Sequence, residues 1–204
     1  MDTALSTPPV RALLDRHGPL LLALAASSLR HAVTTGEPLG IDPAVYAPEL
    51  AGPGASFVTL RRNGELRGCI GSAQAWRPLI VDIAGNAAAA ALEDPRFPSL
   101  QASELPGLWL SLSILTVPEP VTASSEADAL TQIRSGRDGL ILSDGKRSAL
   151  LLPQVWEMLP DPVAFVAALK DKAGLPAHHW SPETRLQRFE SVTIEDAHLF
   201  GPSS

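Results

Sequence analysis

Cys69 is the single cysteine of the chain, and it stands in the run Arg67-Gly68-Cys69-Ile70-Gly71. A free thiol titrates near about 8.5, and a neighbouring guanidinium favours the thiolate, the form that attacks electrophiles and binds metals. Arg67, two residues away on a strand, is placed to supply that charge. Gly68 and Gly71 bracket the cysteine, and glycine inside a strand marks a bulge or the close approach of another backbone or ligand. The competing reading is that Cys69 is a small apolar core residue, because free cysteine is among the most buried residue types. A complete nucleophile-base pair cannot be assembled: His17, His31, His178, His179 and His198 are scattered, and none has a context that marks it as a base. No His-Glu-x-x-His or paired Cys-x-x-Cys spacing occurs, so no metal site is expected. Asp94 and Arg96 flank Pro95 at a helix end, where such a pair is read first as a structural ion pair. Lys172, in the last turn of a helix before Gly174, serves that helix end.

These residues need elements to hold them. Within Phe57–Ser72, two β-rich runs flank Asn63-Gly64, the dipeptide suited to a two-residue hairpin turn. Counting outward from that turn sets Leu60 opposite Arg67 and Val58 opposite Cys69, with these four on one face and Phe57, Thr59, Leu66 and Ile70 on the other. Upstream, apolar spacing from Val10 to Thr35 predicts a short helix, a break at Gly18-Pro19, and a longer helix. A proline- and glycine-rich connection follows, from Pro38 to Gly54. Downstream, a helix opens at Arg77-Pro78 and ends at Asp94-Pro95, and its run Ala87–Ala91 makes it thin enough to pack close to a sheet. Leu108–Val117 alternates as a strand, with Leu108, Leu110, Leu112 and Ile114 on one face. Glu126–Ile133 is expected as a helix, Asp144-Gly145 as a second hairpin turn, Val163–Lys172 as a helix capped by Asp161, and Leu186–Ile194 as a last strand. Helices interleaved with hairpins give an α+β fold: a mainly antiparallel twisted sheet with packed helices and a smaller second lobe around Asp144-Gly145. Residues 1–8 and 199–204 are expected as flexible ends of a single two-lobed domain over residues 9–198.

The run Arg67-Gly68-Cys69-Ile70-Gly71, preceded by Phe57-Val58-Thr59-Leu60, resembles the signature of the AMMECR-type domain, and the chain as a whole resembles the AmmeMemoRadiSam system protein A family. Further similar stretches are Asn86 with the alanine run, Asp94-Pro95-Arg96-Phe97, Leu112–Leu115, Gly139-Leu140-Ile141, Leu152–Val155, and Lys172–Pro176 with Trp180, so the likeness spans residues 55 to 190. The resemblance implies that Arg96 joins Arg67 near Cys69 to bind an anionic group, since guanidinium forks suit carboxylate and phosphate. Gln154, after Leu152-Pro153, belongs to the same implied site, with Gly68, Gly71 and Asp94. It also implies two partners, a radical S-adenosylmethionine protein and a Memo-like protein. One cysteine cannot hold an iron–sulfur cluster, so any such cluster belongs to another chain and no cofactor is expected in this one.

Composition bounds the rest. At 204 residues with 45% hydrophobic side chains the chain can bury a substantial core. A net charge of −6 and the lack of any basic run argue against nucleic acid. The longest apolar run, Pro19–Ala26, is too short to span a bilayer, and a lone cysteine with no leader segment indicates the cytosol. Two functions remain open: an accessory protein that binds substrate or partner through a cleft centred on Cys69, or a cysteine-dependent enzyme modifying an anionic small molecule or peptide.

Overall fold

The computed structural model describes residues 7–196 and 199–201. The expected flexible ends fall largely outside that range, as does His198. The chain divides into two compact units, one of residues 7–115 with 192–201 and one of residues 116–191.

In the larger unit, helix α1 (Thr7–Thr35) is continuous. The expected break at Gly18-Pro19 is therefore corrected. Pro19 removes one backbone donor and costs roughly 3 kcal/mol in a helix interior. Leu13 and Leu14 before it and Leu21, Leu22, Leu24 and Ala25 after it are all buried on one stripe, and at about 1.5–3 kcal/mol per large apolar side chain that shared burial wins. The connection that follows carries the short helix α2 (Pro48–Ala51) and strand β1 (Pro53–Gly54). Next come β2 (Ser56–Arg62), β3 (Glu65–Gly71), the short β4 (Arg77–Pro78), helix α3 (Leu79–Leu92) and strand β5 (Leu108–Leu115). Pro78 is the N-cap of α3 rather than its first helical residue. Leu108, Leu110, Leu112 and Ile114 are all fully buried, as their alternation predicts.

The smaller unit holds β6 (Glu119–Val121), α4 (Glu126–Gln132), the hairpin β7 (Gly139–Asp144) and β8 (Arg147–Leu151), α5 (Pro162–Lys172) and β9 (Arg185–Phe189). It is a four-stranded sheet in the order β6-β9-β7-β8, more than the one hairpin expected. Asp144 pairs with Arg147, so the turn is Gly145-Lys146, with Gly145 at φ +58°, and Asp144 ends the strand. Asp161 caps α5 by accepting from the amides of Val163 and Ala164. The core joins Leu140, Leu142, Leu169 and Leu186 to Trp156 and Phe165, whose rings stack 3.9 Å apart. Lys170 is also fully buried, its Nζ donating to Glu126 at 2.7 Å and to the carbonyl of Ala177 at 2.8 Å.

The segment 186–194, expected as one strand, is two: β9 in the smaller unit's sheet and β10 (Ser191–Asp196) in the larger unit's, whose order is β10-β5-β2-β3. The division falls at Glu190, whose N–H donates to Thr116 Oγ1 and whose carbonyl accepts from the Thr116 amide, both at 2.8 Å, while Arg134 and Arg137 hold its carboxylate.

One acid of the smaller unit sets a pH response. Asp144 Oδ2 accepts from Thr184 at 2.6 Å, Ser181 at 2.7 Å and His179 at 2.9 Å, and these bonds, that from Thr184 foremost, lower its pKa from 3.8 to about 2. A depressed carboxylate stabilises the fold above its unfolded pKa and loses that contribution as pH falls through the folded value. The gap in stability between wild type and Asp144→Asn should therefore be full above pH 4 and close between pH 4 and 2. Acid titrations of both proteins by circular dichroism check this; parallel curves across that window would refute it.

Candidate functional site

The surface around Cys69 is built by a hairpin with one residue too many. Pairing starts from the Asn63-Gly64 turn as Arg62 with Glu65 and Arg61 with Leu66, then jumps to Leu60 with Gly68. Arg67 is the extra residue of a β-bulge. The predicted register is thereby corrected: Cys69 lies opposite Thr59, not Val58, and Arg67 lies opposite nothing. A one-residue slip transfers every later side chain to the other face. Val58, Leu60 and Gly68 form the buried face, and Gly68 lies so close to α3 that a Cβ there would stand 2.2 Å from the carbonyl oxygen of Ala90. Cys69 shares the opposite face with Thr59, Phe57 and Gly71.

On that face the rows run straight across the sheet. Cys69, Thr59 and Ser111 form one row, with Gly71, Phe57 and Ser113 on one side of it and Arg61 with Trp109 on the other. The Phe57 ring lies flat over Gly71, where a Cβ would approach it to 2.2 Å. Ser113 Oγ is 2.8 Å from Thr193 Oγ1 of β10. Trp109 is 39% exposed, so the face is open at that end. The middle row is a floor of small polar groups between aromatic neighbours. Cys69 is half-buried, and Sγ is 3.2 Å from the hydroxyl of Thr59. The structure thus gives the thiol a hydroxyl neighbour that the sequence reading had set on the other face.

Arg67 does not attend the sulfur. Its Nε and Nη2 donate to the two oxygens of Glu104 at 2.9 and 3.0 Å, a bidentate pair that holds the Glu104 carboxyl below its ordinary range. Glu104 also accepts from the amide of Gln101, which fixes the turn that carries it. Arg96 donates from Nε and Nη2 to Asp94 at 2.9 and 2.6 Å. Asp94, almost fully buried, accepts in addition from the amides of Cys69 at 2.8 Å and of Arg96 at 3.1 Å. Its carboxyl is held far below the usual carboxylate range, first by the Arg96 guanidinium and then by those amides. Arg96 Nη2 reaches the carbonyl of Cys69 at 3.3 Å. The Asp94–Arg96 pair therefore clasps both main-chain groups of the cysteine, and both guanidinia lie over the Phe97 ring, that of Arg67 5.8 Å and that of Arg96 5.5 Å from its centre. The four charges sum to zero.

Gly68, Cys69, Gly71, Arg67, Asp94 and Arg96 are thus brought together within the larger unit. Gln154 belongs to the smaller unit, where it lines a cavity of about 360 Å³ with Gly136, Trp156 and Ser191. A second cavity of that unit, of about 520 Å³, is lined by Val121, Ser143, Thr184 and Leu186. Among the described residues no group of three or more His, Cys, Asp or Glu is arranged to hold a metal ion, and no helix is long and apolar enough to cross a membrane.

Sequence reasoning passed over two carboxylates. Glu104 left no signal, since its partner is 37 positions away. Asp82 left one: it is a lone acid on the apolar stripe of α3, between Leu79 and Ile83. It is fully buried, accepting from Ser72 and Arg77 on one oxygen and from the amide and hydroxyl of Ser56 and from Asn86 on the other. These bonds fasten the start of β2 and the end of β3 to α3.

Known proteins match this chain over most of its length. The AMMECR1 family model matches residues 22–194. A protein of Thermococcus gammatolerans is 38% identical over 197 residues, covering 92% of this chain and 94% of its own length. One of Methanothermobacter thermautotrophicus is 44% identical over 142 residues, 69% of this chain and 74% of that protein. The crystal structure of the uncharacterized protein PH0010 from Pyrococcus horikoshii has the same α+β fold, with a TM-score of 0.80 at 35% identity over 90% of this chain and 93% of that one.

Proposed function

Because the chain belongs to the AMMECR1 family, and because among the described residues the hydrogen-bond partner of its cysteine sulfur is a hydroxyl rather than a base, we propose that it is a cytosolic accessory protein that binds a partner or substrate through the face centred on Cys69. In an AmmeMemoRadiSam system the partners would be the radical S-adenosylmethionine protein and the Memo-like protein. The observation that carries this reading is the hydrogen bonding of the site: Sγ meets the Thr59 hydroxyl, Arg67 is occupied by Glu104, and Arg96, although it also interacts with the Cys69 side chain, spends its Nε and Nη2 on Asp94. A nucleophile needs a base to activate it and an oriented donor for the developing charge. A recognition face needs small polar groups beside an exposed aromatic anchor, and Cys69, Thr59 and Ser111 beside Trp109 meet that need.

Co-expression with each partner, followed by affinity measurement on purified proteins, tests this. Trp109→Ala should weaken binding by more than about tenfold, as loss of a tryptophan anchor does. Cys69→Ala should change it by less than about threefold, since only one small side chain is lost. Binding indifferent to Trp109→Ala would remove the face from the account. Turnover of an anionic substrate that vanishes in Cys69→Ala would instead establish the cysteine-dependent enzyme.

A further inference from the structure

Strand β3 is the last strand of its sheet, and an edge strand offers unpaired N–H and C=O groups to any other chain. Along β3 these groups point alternately toward β2 and outward. The amide of Ser72 bonds inward to Ser56, so the outward positions are Gly71 and Cys69. At Cys69 both outward groups are taken, the N–H by Asp94 at 2.8 Å and the carbonyl by Arg96 at 3.3 Å. A neighbouring strand would supply the same pair, an acceptor for the N–H and a donor for the C=O.

We propose that the Asp94–Arg96 pair is a cap on this edge, standing in for a strand, and that the occupant it excludes is β3 of a second copy of the chain. Three features single out that occupant. Antiparallel pairing about a two-fold axis sets the same outward groups against each other, so the edge is complementary to itself. Glycines at 68 and 71 leave that edge with no side chain on either side of Cys69 except that of Ile70. The quartet of Arg67, Glu104, Asp94 and Arg96 carries no net charge to repel an identical edge. The two halves of the cap differ: Asp94 is 3% exposed and fixed by two amides, whereas Arg96 is 54% exposed and held by its pairing to Asp94 and the Cys69 carbonyl. Arg96 is the half that swings. This rests on the reading of the Cys69 surface as a recognition site and deepens it: with the edge closed, a partner approaches across the sheet face.

The double variant Asp94→Ala/Arg96→Ala is compared with wild type by sedimentation equilibrium across a concentration series and by amide hydrogen exchange. The expected result is a doubled mass at high concentration, with the Cys69 amide slow to exchange in the doubled species and fast in the dilute one. An unchanged mass, or a larger mass in which the Cys69 amide still exchanges fast, would overturn the proposal. Should the double variant fail to show a cooperative melt, Asp94→Ala alone carries the same test, since it removes the acceptor of the Cys69 amide and leaves the half-exposed Arg96 free to swing off the carbonyl. Partner affinity is read in a separate experiment, so failure of the cap leaves the recognition face standing, and failure of the face leaves the cap testable.

Discussion

Asp82→Ala should lower the unfolding free energy of the protein by about 4 kcal/mol, the range found when one member of a buried charged network is removed. Asp82 is fully buried and accepts five hydrogen bonds from four residues. Its loss takes the carboxylate from the Arg77 guanidinium, whose side chain is 23% exposed and which is close to Gly85 and to the ring of Trp76, and leaves it Asn86 Oδ1 and the backbone carbonyl of residue 82. It also leaves the Ser56 amide unpaired in the core, and an orphaned buried donor costs about 1–3 kcal/mol by itself. Asp82→Asn keeps the shape but gives up the charge, and should cost about half as much. Urea unfolding at constant slope measures both. A loss below 1 kcal/mol for the alanine variant would show that the network is solvated and does not fasten β2 and β3 to α3.

Gly68→Ala should cost about 3 kcal/mol, at the upper end of overpacking. The added Cβ would stand 2.2 Å from the oxygen and 3.2 Å from the carbon of the Ala90 carbonyl, which are backbone atoms of α3. Relief requires the whole helix to move off the sheet. Gly71→Ala meets an obstacle at the same 2.2 Å, but it is the ring of Phe57, a side chain on the open face that can turn away. That variant should cost about 1 kcal/mol. The contrast between two glycines equidistant from their obstacles is the test, and equal losses would mean that α3 yields as easily as a side chain. In Gly68→Ala the half-buried Cys69 should also become more reactive to alkylation, because the helix shift loosens the strand that holds it.

Much of this protein is written locally. Asn63-Gly64 requires positive φ at both positions, and both have it, at +52° and +82°. Asp161-Pro162 and Gly174 bound α5, because a cap and a left-handed residue act over one turn of chain. The alternation of Leu108 to Ile114 locates β5 and its buried face, and the alanine run of α3 announces the close approach seen at Gly68. Family membership was legible too, since the Arg67–Gly71 run and its companions keep their order along the chain.

Tertiary structure decided the rest. Whether Pro19 breaks a helix depends on what the two halves bury, and both bury leucines on one stripe. The bulge at Arg67 is invisible in the sequence, because nothing in a strand's own residues says which one its partner will skip. That skip moves Cys69 from the face of Val58 to the face of Thr59 and separates the thiol from the guanidinium with which the sequence had paired it. Arg67 then finds Glu104 and Arg96 finds Asp94, so four charges placed along 38 positions of chain resolve into two neutral pairs around a phenylalanine. Residue types and spacing located the strand that carries Cys69. Which side of the sheet the sulfur faces, and what it touches there, follow from strand pairing, helix packing and long-range ion pairs, none of which a local pattern encodes.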